Sequence, residues 1–246
     1  MPIYLLFGNA NKTSLVIDIL AMEAIVISLG GSVVFSHSDP GFMKKLARLL
    51  EALSDKYKIY IVIGGGKIAR EYIKLGRELG IKEKLLDEIG ISITRVNARF
   101  FSSLVSNVNR DIPTSTDEAI NLDEPIVIMG GTTPGHSTDQ VGAELAFKSK
   151  ASRFIIATNV DGIYDKDPNV YKDAKHLSHV YIENLIDQYG TAWNEAGKNI
   201  VIDGPALQTI YENRIKTFVV NGRNLVELEK AIDGKPFYGT KILFKK

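Results

Sequence analysis

Three glycines between an apolar strand and a basic helical segment are the residues best suited to chemistry in this chain. The apolar run 59–63 is rich in β-branched residues, and glycines 64–66 follow it directly. Glycines let the backbone approach a ligand closely, and free N–H groups at a helix start favour phosphate. Lys67 and Arg70 lie one helical turn apart and add positive charge. The pattern predicts an anion site, and a plain turn with two solvated cations is the alternative.

A second loop of similar character follows the apolar run 126–129. Residues 130–138 are glycines, small hydroxyl residues, a proline and a histidine, and Asp139 stands at the start of a predicted helix. Comparable polar clusters end three further predicted strands, at 24–27, 154–157 and 217–220. The carboxyl ends of parallel strands share one edge of a sheet, and ligands bind there. The sequence therefore predicts an extended polar ligand across that edge.

The elements that must position these loops alternate between strands and helices. Apolar spacing predicts helices near 40–53, 66–79, 82–105, 116–121, 140–148, 181–188, 206–213 and 225–231. Asp39 with Pro40 supplies a helix start, and Gly80 supplies a helix stop. Such alternation is typical of a mostly parallel sheet that is covered by helices on both faces.

Composition excludes several classes of function. The chain has 246 residues, a hydrophobic fraction of 45% and a net charge of +1, so no strong field attracts nucleic acid or a membrane surface. It contains no cysteine, which excludes disulfides, thiolate metal sites and a cysteine nucleophile. No apolar run approaches the roughly 20 residues that a membrane span needs. These features fit a cytoplasmic protein.

The first 21 residues stand apart from this pattern. They lack the basic start and clean apolar core of a signal peptide. Residues 8–14 resemble a P-loop but lack the second glycine before the lysine, so we reject that interpretation. The run after Met22 looks like the start of a domain. We expect residues 1–21 to be an N-terminal extension of unknown role and residues 22–246 to form one domain.

Two kinds of phosphate ligand fit the glycine clusters. The spacing Gly64-x-Gly66-x-x-Ala69 matches a dinucleotide fingerprint, which also needs an acidic residue at the end of the next strand. Asp87 has roughly the right distance but lies in a predicted helix, so the context fails. Separate glycine clusters instead suit two phosphate-bearing groups that face each other. Phosphoryl transfer between them needs mainly positioning and charge neutralisation.

Six segments in a fixed order carry a resemblance to a known family. They are LGGS at 29–32, GGGKIAR at 64–70, DEIG with ITRxNA at 87–98, MGGTxPGHxTD at 129–139, TNVDGIY with DP at 158–168, and GT at 239–240. Each segment is weak alone, but the ordered set resembles the amino acid kinase family. Within that family, the PGHSTD loop and the segment at Asp87 look like the archaeal-type uridylate (UMP) kinases.

The resemblance implies a fold, a reaction and a set of site residues. The fold is a three-layer α/β/α sandwich with a mainly parallel central sheet. The reaction transfers the γ-phosphoryl group of ATP to UMP in pyrimidine nucleotide biosynthesis, with Mg²⁺ as cofactor. UMP would be held by Gly65, Asp87, Thr132, Thr133, Pro134, Gly135, His136, Ser137 and Thr138. ATP would be held by Gly30, Gly31, Gly66, Arg70, Thr158, Tyr164 and Asp167.

The resemblance also implies that catalysis would rest on Asp139, Lys67 and Arg70, and no residue is assigned as a metal ligand. Family members commonly form hexamers, so we expect a homo-oligomer.

Two departures from the family pattern concern positive charge. Many members carry a lysine two residues before the first glycine pair, where this chain has Ser28. A second lysine in a late helix is replaced by Gln208. The alternatives are therefore another phosphotransferase of the family, acting on an acyl, carbamoyl or isoprenoid phosphate acceptor, and a nucleotide-binding sensor or storage protein without catalysis.

Some polar residues have plainer interpretations. His176 and His179 have the spacing of metal ligands on a helix, but no third ligand is evident, so we interpret them as surface residues. His136 is interpreted as a loop or base contact rather than a catalytic group. Arg95 and Asn97 are expected either on a helix surface or against a neighbouring subunit.

Overall fold

The computed structural model describes residues 22–35, 39–168, 170–192 and 201–245. Its strands are β1 (Glu23–Leu29), β2 (Tyr57–Ile63), β3 (Ile126–Met129), β4 (Arg153–Thr158), β5 (Ile163–Tyr164), β6 (His176–Leu177), β7 (His179–Tyr181), β8 (Thr217–Asn221) and β9 (Thr240–Leu243). Its helices are α1 (Gly31–Phe35), α2 (Pro40–Leu53), α3 (Gly66–Glu78), α4 (Glu83–Ser102), α5 (Thr116–Ile120), α6 (Thr138–Lys148), α7 (Ile182–Tyr189), α8 (Gly204–Glu212) and α9 (Leu225–Ile232).

A mainly parallel sheet forms the centre of the molecule. The strand order is β3-β2-β1-β4-β8-β9-β7. The first five strands of that order are parallel to their neighbours, whereas β9 is antiparallel to β8 and parallel to β7. The chain moves from β1 to β2 on one side and returns to β4 on the other. Sheets with such a reversal bind ligands beside it, at the carboxyl ends of the strands.

Two apolar cores flank the sheet because alternate residues of each strand point to opposite faces. On one face, Ile25 and Ile27 of β1 pack with apolar residues of α1, α2, α4 and α9. On the other face, Val26 packs with apolar residues of α5, α6, α7 and α8. The strands are buried on both faces, which explains their continuous apolar runs. The three-layer α/β/α prediction is confirmed.

Capping residues define several helix ends. Asp39 caps α2 by accepting a hydrogen bond from the Phe42 N–H at 3.0 Å, as its position before a proline predicts. Ser137 caps α6 by accepting from the N–H groups of Asp139 and Gln140. Gly80, two residues beyond α3, has a φ of +75°, which permits the turn there.

The sequence missed the short elements. The helix α1 and the strands β5, β6, β7 and β9 were not predicted, since such short runs carry little periodicity. His176 and His179 lie in β6 and β7 and not on a helix, so the helical ligand spacing does not apply. The predicted extension 1–21 lies outside the described residues. Within the described ranges, no helix combines the length and apolarity that crossing a bilayer requires.

Candidate active site

A cleft of about 300 Å³ lies at the carboxyl ends of β1, β2, β3 and β4. Its lining includes most of the predicted phosphate and UMP residues, namely Gly30, Gly31, Gly65, Gly66, Arg70, Asp87, Thr133, Pro134, Gly135, His136, Ser137, Thr138 and Asp139. We call it the acceptor cleft. The chain reversal between β1 and β4 therefore coincides with the site that the glycine clusters predicted.

A second cleft of about 440 Å³ adjoins the first. Tyr164 and Asp167, both predicted on the ATP side, line this second cleft, which we call the donor cleft. Thr158, at the end of β4, lines both clefts together with Asn159 and Val201. Two neighbouring cavities that share one wall can hold two ligands with their reacting groups facing each other.

The floor of the acceptor cleft requires glycine. A Cβ on Gly31 would lie 2.3 Å from the Gly64 carbonyl oxygen and 2.4 Å from the Gly66 nitrogen, far inside van der Waals contact. Gly66 has a φ of +66°, a conformation that side chains disfavour. The loops after β1 and β2 therefore touch through their backbones. The first-turn N–H groups of α3 have no intrahelical acceptor and are available to an anion.

The helix α4 holds both glycine-rich loops from behind. The Asn97 side-chain amide donates to the carbonyl oxygens of Gly64 at 2.9 Å and Gly65 at 3.2 Å. The Thr94 hydroxyl accepts from the Gly131 N–H at 2.7 Å. Asn97 and Thr94 are 5% and 7% exposed, so these bonds are sheltered from water. The helix thereby fixes the triple-glycine turn and the loop after β3 to one scaffold.

Arg95 extends this support along the loop after β3. Its guanidinium donates to the carbonyl oxygens of Gly131 and Thr132, each at 3.0 Å. The prediction that Arg95 and Asn97 lie on a helix surface or against a neighbouring subunit is therefore wrong. Both side chains bind backbone carbonyls inside the chain, and local periodicity cannot reveal such long-range partners. Thr132 meets α4 through its carbonyl and is absent from the described lining of the cleft.

Asp87 joins the same helix to the far part of the loop. Its Oδ2 atom accepts a hydrogen bond from the Gly135 N–H at 2.9 Å. Gly135 has a φ of +83°, so the loop turns there in a glycine conformation. This bond orients the carboxylate at the rim of the acceptor cleft, where its remaining lone pairs can accept hydroxyl groups of a ligand.

Asp139 lies at the centre of the site, on the first turn of α6. Its Oδ1 atom accepts a hydrogen bond from the Ser28 hydroxyl at 2.6 Å. Burial, followed by the nearby charge of Asp203, raises the pKa of Asp139 to about 7, although the hydrogen bond from Ser28 opposes the rise. Ser28 occupies the position of the absent lysine and is 2% exposed.

Asp203 brings a second carboxylate to the same place. It caps α8 by accepting from the Ala206 N–H at 3.1 Å, and the Ser137 hydroxyl also donates to it. Burial raises the pKa of Asp203, and the Ser137 hydrogen bond counteracts that rise. The sequence indicated only that Asp203 precedes a late helix, because the approach of α8 to α6 is a tertiary contact.

The predicted cations divide between the cleft and the surface. Arg70 lines the acceptor cleft, and its guanidinium donates to the Ser32 hydroxyl at 2.8 Å. Lys67 lies outside the described lining, with its Nζ atom 3.5 Å from Glu71 and its side chain 69% exposed. Gln208 also points away, since its amide donates to Glu212 at 2.9 Å. In the described lining of the acceptor cleft, Arg70 and His136 are the basic side chains.

The described residues contain no group of three or more His, Cys, Asp or Glu side chains that could hold a metal ion. The donor set around Asp139 and Asp203 consists instead of two carboxylates and the hydroxyls of Ser28 and Ser137. Oxygen donors of this kind suit Mg²⁺, which binds one or two carboxylates and completes its shell with water and substrate phosphates. The set therefore fits Mg²⁺ bound together with a nucleotide.

Comparisons with known proteins agree with this geometry. A uridylate kinase of Thermoplasma volcanium is 44% identical over 225 residues, which cover 89% of this chain and 97% of the relative. One of Methanocaldococcus jannaschii is 41% identical over 85% of this chain and 96% of the relative. The crystal structure of uridylate kinase from Archaeoglobus fulgidus superposes with a TM-score of 0.79 at 38% identity, covering 90% of this chain and all of that one. The model of the amino acid kinase family matches residues 23–221. The chain belongs to the amino acid kinase family.

Proposed function

We propose that this chain is a UMP kinase. It transfers the γ-phosphoryl group of ATP to a phosphate oxygen of UMP, so that the bond between the β,γ-bridging oxygen and the γ-phosphorus breaks as the new phosphorus–oxygen bond forms. The products are ADP and UDP, and the reaction belongs to pyrimidine nucleotide biosynthesis. The observation that carries the proposal is the pair of adjoining clefts, which meet at Thr158 beside the glycine floor.

The acceptor cleft suits a nucleoside monophosphate. Asp87 is placed to accept the ribose hydroxyls, and the loop 133–138 surrounds the space for the base and sugar. Gly65 and the first turn of α3 also line the cleft, and their backbone N–H groups would hold the phosphate end of the ligand. Arg70, held by Ser32, supplies a guanidinium that can neutralise phosphate charge. These contacts position the acceptor oxygen for in-line attack.

The donor cleft suits ATP. Tyr164, Asp167 and Thr158 line it, and Gly30, Gly31 and Gly66 line the acceptor cleft beside the shared wall, where the γ-phosphate of ATP would meet UMP. Mg²⁺ supplies charge neutralisation and orientation of the phosphates when it is bound with ATP. Asp139 and Asp203 are the residues that would hold it, and the Ser28 hydroxyl keeps Asp139 directed toward the cleft.

Among the cations of the chain considered for the site, Arg70 is the one placed to neutralise most of the phosphate charge. The family lysines are replaced by Ser28 and Gln208, and Lys67 pairs with Glu71 on the helix surface. A surface cation screened by water contributes little to the stabilisation of a transition state. We therefore assign Arg70 as the main protein cation and leave Lys67 out of the reacting group.

A coupled ADP-release assay with Mg-ATP tests the proposal. The acceptors are UMP, CMP, AMP, carbamate and isopentenyl phosphate, and we expect turnover confined largely to UMP. Arg70→Met should lower kcat by about a hundredfold or more, whereas Lys67→Met should change it by less than about threefold. Turnover with a different acceptor would replace the substrate assignment. Binding of UMP and ATP without turnover would instead favour a sensor or storage protein.

We also propose that the chain works in the cytoplasm as a homo-oligomer, with a hexamer as the form implied by the family. An apolar stripe on α3 supports this, because Ile68, Tyr72, Leu75 and Leu79 are 49%, 58%, 55% and 69% exposed. Val96 on the adjacent α4 is 67% exposed. Apolar surface of this extent is typical of interfaces. Light scattering should give a hexamer that Val96→Asp weakens, and a monomer would contradict the proposal.

A further inference from the structure

The donor cleft depends on a hairpin that has little support of its own. The strands β5 and β6 pair through Ile163 with Leu177 and Tyr164 with His176, and the Asp165 N–H extends the pairing by donating to the Lys175 carbonyl oxygen at 3.1 Å. They form a separate two-stranded sheet beside the main one. An isolated two-stranded hairpin is marginally stable in water. Other parts of the molecule must therefore hold Tyr164 at the wall of the donor cleft.

One hydroxyl from the last strand bonds to both strands of this hairpin. Thr240 begins β9 and is fully buried. Its Oγ atom accepts a hydrogen bond from the Ile163 N–H at 2.8 Å and donates one to the Leu177 carbonyl oxygen at 2.5 Å. A single side chain thus attaches β5 and β6 to the central sheet, where β9 pairs with β8.

The chain enters the hairpin through close contact with the same hydroxyl. Gly162 has a φ of +146°, and a Cβ there would lie 2.5 Å from the Thr240 Oγ atom and 2.7 Å from the His176 Nε2 atom. Glycine is therefore required where the loop after β4 turns toward Tyr164. The close contact between Gly162 and Thr240 therefore fixes the position of the loop that leads to Tyr164.

An aromatic stack gives a second connection from the same C-terminal segment. The Tyr238 ring stacks on His176, with centroids 4.7 Å apart and planes inclined by 26°. His176 in turn meets the Tyr164 ring edge-on at 5.4 Å. Aromatic pairs in these geometries contribute about 0.5–1.5 kcal/mol beyond their buried area. Tyr238 thereby supports Tyr164 without lining the described part of the donor cleft itself.

We propose that residues 238–240 position the ATP-binding side of the site, with Thr240 as the principal positioning residue. Thr240 holds the hairpin so that Tyr164 and the loop 162–168 form the wall of the donor cleft. Neither Thr240 nor Tyr238 touches the reacting atoms. The proposal rests on the assignment of ATP to this cleft. It predicts that substitutions here change the KM for ATP and leave the KM for UMP unchanged.

Thr240→Val and Thr240→Ser form the matched test. Valine keeps the shape but leaves the Ile163 N–H and the Leu177 carbonyl without their buried partner, whereas serine keeps both hydrogen bonds. For Thr240→Val we expect the KM for ATP to rise about tenfold, with the KM for UMP unchanged within about twofold. Thr240→Ser should stay within about threefold of the wild type for both substrates.

Several outcomes would overturn the proposal. A Thr240→Val enzyme in which both KM values rise together, or in which neither changes, would reduce Thr240 to general packing. A wild type without turnover would refute the kinase assignment instead, and ATP and UMP affinities measured by calorimetry would then test the positioning role separately. Loss of ATP affinity alone would still support it.

Tyr238 provides an independent pair if Thr240→Val does not fold. Tyr238 is 55% exposed, so its replacement spares the core. Tyr238→Phe preserves the stack on His176, and Tyr238→Ala removes it. We expect Tyr238→Ala to raise the KM for ATP about threefold and Tyr238→Phe to leave it unchanged. Equal behaviour of the two variants would contradict a role for the stack.

Discussion

The two sides of the active site are supported in opposite ways. On the acceptor side, a single 20-residue helix, α4, bonds to the loops through Thr94, Arg95, Asn97 and Asp87. On the donor side, a hairpin with two residue pairs rests on one hydroxyl and one aromatic stack from the C-terminal segment. The acceptor loop is thus built on a long regular element, whereas the donor wall is attached at a few points.

This contrast has a consequence for motion and for function. Regions with many sheltered hydrogen bonds open rarely, and regions with few contacts open at lower cost. We expect the acceptor cleft to be preformed before UMP binds. The donor hairpin should adjust when ATP enters or ADP leaves. Substitutions on α4 should therefore alter the KM for UMP selectively, whereas substitutions at 238–240 should alter the KM for ATP.

The largest expected effect concerns the glycine floor of the acceptor cleft, where we propose that the phosphates of both substrates meet. Gly31→Ala places a Cβ against the Gly64 carbonyl and the Gly66 nitrogen, and neither backbone group can move without breaking the turn. We expect kcat to fall by about a thousandfold, with both substrates affected, measured by the coupled assay. Gly90→Ala is the control, since its nearest neighbour would lie at an ordinary 3.4 Å. An effect on one substrate alone would contradict a shared floor.

The next effect concerns Asp139, which lines the acceptor cleft and is bonded by Ser28 rather than by α4. Its folded pKa of about 7 lies above the unfolded value near 3.8, so the folded protein loses stability as the pH rises through that window. The penalty is complete above about pH 7 and absent below about pH 3.8. Asp139→Asn removes it while an amide oxygen can still accept from Ser28. We expect a gain of about 2 kcal/mol in unfolding free energy at pH 8, allowing for water in the cleft.

Urea denaturation at pH 8 and pH 4.5 measures this difference. Asp139→Asn should stabilise the protein at pH 8 and change its stability little at pH 4.5. Asp117→Asn provides the control, because that carboxylate is exposed and pairs with Lys148 at the surface. An equal gain at both pH values would show that burial does not oppose the ionisation of Asp139.

A smaller and selective effect is expected at Arg95. Arg95→Met removes the two bonds to the carbonyls of Gly131 and Thr132 while it keeps most of the side-chain volume. We expect the KM for UMP to rise about tenfold and the KM for ATP to stay within about twofold. Arg99→Met, one turn further along α4, is the control and should leave both constants unchanged. If Arg95→Met altered ATP as much as UMP, the two sides would not be supported separately.

The smallest effect is a difference in local opening. Backbone amides of the hairpin, such as Ile163, should exchange hydrogen faster than Gly131, whose N–H is held by Thr94. We expect a ratio of about ten at equal intrinsic rates, measured by native-state exchange with mass spectrometry. Addition of ATP should slow the hydrogen exchange of the Ile163 amide more than that of the Gly131 amide. Equal protection in the free protein would remove the contrast between the two sides.

Much of the fold followed from patterns along the chain. Strands such as 59–63 and 126–129 are runs of apolar residues because both faces of the sheet are covered. Helix starts such as Asp39 can be predicted because the residue type is a preferred N-cap. The short pieces α1, β5 and β6 did not follow, because two to five residues are too few to show a period. Their positions depend on packing, as Thr240 against Ile163 illustrates.

The sequence by itself determined the strand–glycine–helix units, the order of the family motifs and the segments that carry Asp87, Arg70 and Asp139. Those features are local, since glycine freedom, apolar period and capping act within a few residues. Only the tertiary structure decided that Ser28 bonds to Asp139 and that Arg95 and Thr240 hold opposite sides of the site. These contacts join residues that are far apart in the chain, and a side chain's direction across such a distance depends on how the layers pack.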